Sequence, residues 1–92
     1  GLFDYLTLGA NMYAASDVKL KKNIKFLKKL SNGINIYSWD WTTEGKKAKT
    51  ATQPSHGVIA QEIQKIIPEA VKRGFDGFLR VNYSHPELKG AL

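Results

Sequence analysis

The hydrophobic period of this chain switches from about 3.6 residues to two and back to about 3.6, and that mixture sets the fold class as α+β. Residues 17–31 carry the first helical pattern: Leu20, Ile24, Leu27 and Leu30 or Ser31 fall at helical spacing, with Phe26 beside them. Ser16 or Asp17 would cap this helix and Asn32-Gly33 would stop it. Residues 34–42 alternate as a strand, with Tyr37, Trp39 and Trp41 on one face and Ile34 and Ile36 on the other. The polar stretch 43–56 has no period and reads as a loop or hairpin tip. Residues 57–67 form the second helical pattern, with Ile59, Ile63, Ile66 and Ile67 as its stripe and Pro68 as its end. Asp76-Gly77 between apolar residues predicts a hairpin turn, with Leu79 to Tyr83 as the returning strand. Residues 84–92 read as irregular.

The first fifteen residues read as extended: Leu2, Leu6 and Leu8 alternate with Phe3, Tyr5 and Thr7, and Gly9 to Ala15 is small and loop-like. The expected fold is thus a small α+β domain with an N-terminal extended segment, two main helices and short antiparallel strands or hairpins. Ninety-two residues, 42% of them hydrophobic, support one domain with a small core, so oligomerisation is a natural source of further burial.

Other classes are excluded or disfavoured by what is absent. There is no cysteine, hence no disulfide framework and no thiolate metal site. His56 and His85 lack metal-ligand spacing, so neither a metal nor another cofactor is implied. No apolar run approaches the ~20 residues of a membrane span. Asp4 interrupts the N-terminus and no basic stretch precedes it, unlike a signal peptide. A start at Gly1 without Met suggests a piece of a longer chain. The net charge of +6 is concentrated in Lys19, Lys21, Lys22, Lys25, Lys28 and Lys29. That stripe suits the solvated face of an amphipathic helix better than a nucleic-acid surface. The Tyr37, Trp39 and Trp41 row, likewise, suits a core or subunit interface better than a base-stacking platform.

Ser16 and Lys21, five residues apart, are the minimum set for acyl-transfer chemistry without histidine. On residue types alone, an N-cap serine on a basic helix is the plainer reading. The order of three blocks adds to this. They are Ser16-Asp17-Val18-Lys19-Leu20-Lys21-Lys22-Asn23-Ile24, then Gly57-Val58-Ile59-Ala60-Gln61-Glu62-Ile63 with Ile67-Pro68-Glu69-Ala70-Val71, then Val81-Asn82-Tyr83. Together they resemble the intramolecular chaperone domain at the C-terminus of phage tail spikes, tail fibres and neck appendages, the S74 self-cleaving peptidase family, which also occurs in a myelin-associated transcription factor. The resemblance spans residues 16–83.

The resemblance implies a domain that follows a β-rich fibre, assembles its chains as an intertwined homotrimer, and then cuts itself free before the motif serine, between Ala15 and Ser16. Residues 1–15 would be the end of the preceding fibre or stalk, and 16–92 the chaperone, shortened at its C-terminus relative to the family's usual helical extension. The partners implied are identical chains and the fibre domain of the same chain, with no membrane and with nucleic acid disfavoured. The setting implied is a virion tail-fibre or spike precursor folded in the host cytoplasm. Ser16 and Lys21 would be the dyad. Asp17 could cap the first turn, Asn23 could orient the peptide or stabilise an oxyanion, and His56 could handle protons; for Asn23 and His56 the plainer readings are a surface helix residue and a loop residue. The competing functions are a non-catalytic trimerisation and folding module and a small basic nucleic-acid-binding domain.

Lys21 must be uncharged to act as a base, against an ordinary pKa of about 10.4. Burial would lower it, and Lys19, Lys22 and the positive helix end are expected to help. Five residues of helix give about 7.5 Å of rise and about 140° of rotation, so a helical Ser16 would face away from Lys21. A serine at the cap, or contact across chains, would relieve this. A lone chain is expected to leave Lys21 wet and charged until trimerisation desolvates it.

Overall fold

The computed structural model describes residues 13–91. Its elements are β1 (Tyr13–Ala15), a 3-10 turn (Val18–Leu20), β2 (Lys21–Lys29), β3 (Asn35–Trp41), α1 (Thr43–Ala48), β4 (His56–Gly57), α2 (Ala60–Ile66), a second 3-10 turn (Pro68–Ala70), β5 (Val71–Arg73), β6 (Leu79–Asn82) and a third 3-10 turn (Pro86–Leu88). They build two three-stranded antiparallel sheets, in the orders β1-β6-β5 and β2-β3-β4. The chain is a small α+β domain, as its periods predict. Tyr13–Ala15, at the end of the stretch expected to be small and loop-like, instead form β1 and pair with β6; residues 1–12 lie outside the described residues.

The first predicted helix is not one. After Asp17 the chain makes a single 3-10 turn and then runs as the edge strand β2, paired with β3 from Lys21↔Trp41 to Lys29↔Asn35. Two physical reasons favour the strand. A helix would stack Lys21, Lys22, Lys25, Lys28 and Lys29 at three- and four-residue spacing, where like charges repel. In the strand, Lys22 lies opposite Asp40. Moreover, Asn23 takes a left-handed backbone (φ 52°) where the register shifts between Lys22 and Lys25; such a residue makes a β-bulge and would break a helix. The spacing that suggested a helix included Phe26 and Leu27, which are both exposed.

β3 follows its prediction closely. Ile34 and Ile36 feed one apolar cluster with Val58, Ile63, Leu79, Val81 and Leu88. Trp39 and Trp41 feed a second with Ala15 and Leu20, meeting edge to face at 5.4 Å. The aromatic row is therefore core: Trp39 and Trp41 are buried, and Tyr37 donates its hydroxyl proton to Glu62 at 2.8 Å.

The polar stretch after β3, expected as a loop, begins with α1. Thr42 caps it by accepting from Gly45 N at 3.1 Å. The helix is nearly free of apolar side chains and packs through its own backbone: a Cβ on Gly45 would lie 2.3 Å from Leu20 O. The second predicted helix begins later than expected, at Ala60, because Gly57, at φ 146°, is paired with Tyr37 in β4. Ile59, Ile63 and Ile67 are buried as expected, but Ile66 is exposed. The Asp76-Gly77 hairpin forms between β5 and β6, with Asp76 Oδ1 accepting from Phe78 N and bonded to Arg80 at 2.7 Å.

Candidate active site

The end of β1 turns into the 3-10 turn at Ser16 and Asp17, both fully or almost fully buried. Ser16 N still donates to Leu79 O at 3.2 Å, extending the β1–β6 ladder, and Ser16 O accepts from Ala60 N at 2.8 Å at the start of α2. The residue is thus clamped between a sheet edge and a helix. Its hydroxyl shares a 2.9 Å hydrogen bond with the buried Tyr83 hydroxyl, which also accepts from Val58 N at 3.1 Å.

Because residues 18–20 make one tight turn instead of a helix, Lys21 folds back over Ser16 within the same chain. Its Nζ donates to Ser16 O at 2.9 Å and to Val58 O at 2.7 Å, and lies 3.8 Å from the centre of the Trp39 ring. The rotation problem of a helical spacing does not arise. Only 6% of Lys21 is exposed in the single chain, so this fold already desolvates the amine, contrary to the expectation that a lone chain would leave it wet. Burial pushes its pKa from 10.5 down to about 7, against the opposing pull of the Asp17 and Glu62 carboxylates. The cause is burial and not the neighbouring lysines: Lys19 and Lys22 are exposed, and the element before Lys21 is a three-residue 3-10 turn, not a helix whose end could contribute. An uncharged amine has two N–H bonds, enough for both carbonyls, and one lone pair left to take a proton.

Asp17 is the structural keystone of the turn. Oδ1 accepts from Lys19 N at 2.9 Å and Gln61 Nε2 at 2.7 Å, and Oδ2 accepts from Leu79 N at 2.9 Å. Burial alone would raise its carboxyl, but the bonds from Leu79, Lys19 and Gln61 outweigh that and hold it below its usual range. Asp17, not Ser16, is the cap. The Ala15 carbonyl, on the bond that precedes Ser16, accepts from Gln53 Nε2 at 2.6 Å, and Gln53 is buried.

Ala15, Ser16, Asp17 and Lys21 lie together within one chain, the 3-10 turn bringing the Lys21 amine onto the Ser16 carbonyl. Asn23 and His56 do not join them: Asn23 donates to Asp40 at 2.8 Å on the exposed face of the bulge, and His56 pairs with Ser38 in β4. Sequence reasoning assigned no role to Gln53, Gln61 or Tyr83. Tyr83 and Gln61 stood in blocks that carried the resemblance, which was the available signal; Gln53 sits in a polar loop that offered none. Among the described residues, no three His, Asp or Glu side chains converge as metal ligands, and no helix is long and apolar enough to cross a membrane.

The class so defined is a small α+β domain with a buried serine–lysine pair at a strand-to-turn junction. The chain belongs to the Peptidase S74 family, described as chaperone of endosialidase, whose pattern it matches over residues 16–72. That is a family of self-cleaving peptidases. The chain is also similar to the long tail fiber protein Gp37 of Escherichia phage AR1, 38% identical over 88 residues. The match covers 87% of this chain and 8% of that relative, so the chain spans a small part of the relative's length. No solved structure gives a significant match.

Proposed function

We propose that this domain is the intramolecular chaperone of a phage tail fibre or spike, that it folds and trimerises with residues 1–15 as the end of the fibre, and that it then cuts its own chain between Ala15 and Ser16. The observation that carries the reading is Lys21: a buried amine with a pKa near 7, held on the serine residue itself. In the chemistry proposed, the uncharged Lys21 amine takes the Ser16 Oγ proton as Oγ attacks the Ala15 carbonyl carbon. The C–N bond then breaks, and the Ser16 nitrogen takes the proton back from Lys21. Water, deprotonated in turn by Lys21, opens the ester, giving an Ala15 carboxylate and restoring the Ser16 hydroxyl. Direct attack by such a water on the peptide gives the same products. Because the serine is covalently next to its target, no entropy is spent on bringing them together.

The exposed edge strand β2, with Phe26 and Leu27 more than half exposed, supports coverage by further copies of the chain. One observation favours a purely structural module instead: the Ser16 hydroxyl is held by Tyr83, while Lys21 holds the Ser16 carbonyl. Intact mass spectrometry of purified wild type, Ser16→Ala and Lys21→Ala decides between them. Autoproteolysis predicts a wild-type product beginning at Ser16, no product from either variant, and trimers from all three by light scattering. Cutting at a normal rate by Lys21→Ala removes the dyad, and an uncut wild-type trimer leaves the structural module.

A further inference from the structure

We infer that Gln53 is a catalytic residue of the self-cleavage reaction, its side-chain amide being the donor that stabilises the oxyanion formed on Ala15. The inference rests on the autoproteolytic reading above. Two donors converge on the carbonyl of Ser16, Lys21 Nζ and Ala60 N, but that carbonyl lies on the far side of the bond to be cut and takes on no charge. The carbonyl that must become an oxyanion is Ala15's, and Gln53 Nε2 meets it at 2.6 Å.

The amide cannot face the other way without loss. Gln53 Oε1 accepts from Thr50 N at 3.3 Å, and Gln53 N donates to Thr50 O at 3.2 Å, so the Thr50–Gln53 turn grips the side chain by its oxygen and aims its N–H₂ at Ala15. Flipped, the amide would set oxygen against oxygen at one end and N–H against N–H at the other. The site is dry, with Ala15, Ser16 and Gln53 all nearly inaccessible, and a fixed dipole aimed at developing charge is most effective where water is excluded. The chemistry is general: as Oγ or water adds to the Ala15 carbonyl, its oxygen gains a full negative charge, the hydrogen bond from Gln53 becomes charge-assisted, and the barrier falls because the ground-state carbonyl gained less from the same bond.

The experiment follows self-cleavage as a first-order rate in chains released from denaturant, for wild type, Ser16→Ala, Gln53→Leu, Gln53→Met and Gln53→Glu, with the pH–rate profile and thermal midpoint of each. Loss of one side-chain amide donor lowers such rates by about 10²–10³-fold. The expected result is that fall for Leu and Met, with the profile's midpoint still near the Lys21 value of about 7 and the fold retained. Glu, which sets a carboxylate oxygen against Ala15 O, should be at least as slow. A merely structural role would instead move the thermal midpoint and the pH midpoint together. Ser16-dependent cutting by folded Gln53→Leu or Gln53→Met within about threefold of wild type overturns the assignment alone. A wild type that is not cut, or that is cut equally after Ser16→Ala, overturns both the assignment and the autoproteolysis beneath it.

Discussion

Replacing Lys21 by Met in a Ser16→Ala background, where the chain stays whole, should change how stability depends on pH. The folded amine titrates near 7 and the ordinary value is 10.5. Between these values the unfolded chain binds a proton that the folded chain does not, so stability rises with pH across that window. Below about 7 both states are charged and the full penalty of the buried ammonium stands, on the order of 5 kcal/mol at about 1.4 kcal/mol per pH unit. Between pH 7 and pH 9.5 that penalty should shrink by about 3 kcal/mol. The Met variant lacks it and also loses the bonds to Ser16 O and Val58 O, but that second loss is the same at every pH. Tyr83, whose phenol burial raises, adds stability that is lost only above its ordinary 10.0, and does so in both proteins. Urea unfolding at one fixed protein concentration, at pH 7 and 9.5, measures the two curves. The expected outcome is a stability difference between variants that moves by about 3 kcal/mol between the two pH values. Parallel curves, within about 1 kcal/mol, would mean that the ammonium is solvated and that burial does not tune the amine.

Three further outcomes are expected. Gly45→Ala, which in an exposed helix would stabilise, should here cost about 1–3 kcal/mol by overpacking, because the new Cβ meets Leu20 O at 2.3 Å and Trp41 at 2.9 Å; differential scanning calorimetry reads this as a midpoint lower by roughly 5 °C or more. Asp17→Ala should cost about 3 kcal/mol in urea unfolding at pH 7, since it strands the buried Leu79 N–H. The carboxyl is depressed in the fold, so its contribution is present above pH 3.8 and is lost as pH falls through the folded value. Tyr83→Phe keeps the ring but leaves the buried Val58 N–H without its acceptor; urea unfolding at pH 7 should show a loss of about 1–3 kcal/mol.

The residues themselves, read in order, determined the class of fold, the alternating strand with its two apolar faces and the Asp76-Gly77 hairpin. Those features rest on local chemistry: period-two burial and a turn that Asp and Gly favour. What the sequence misread was the lysine-rich segment, because helical spacing in Leu20, Ile24 and Leu27 is the same whether or not β3 is available to pair with it. The partner strand lies outside the segment that carries the period, and a local period cannot report it.

Only the tertiary structure decided the chemistry of the site. Lys21 is an ordinary lysine in sequence; Trp39 from β3, Val58 before α2 and the Ser16 turn close over it and lower its affinity for a proton. Gln53 and Tyr83 stand 38 and 67 residues from the atoms they bond, the carbonyl of Ala15 and the hydroxyl of Ser16. The physical reason is that desolvation and hydrogen-bond geometry are properties of what surrounds a side chain, and that surrounding exists only once strands and turns far apart in sequence have packed together.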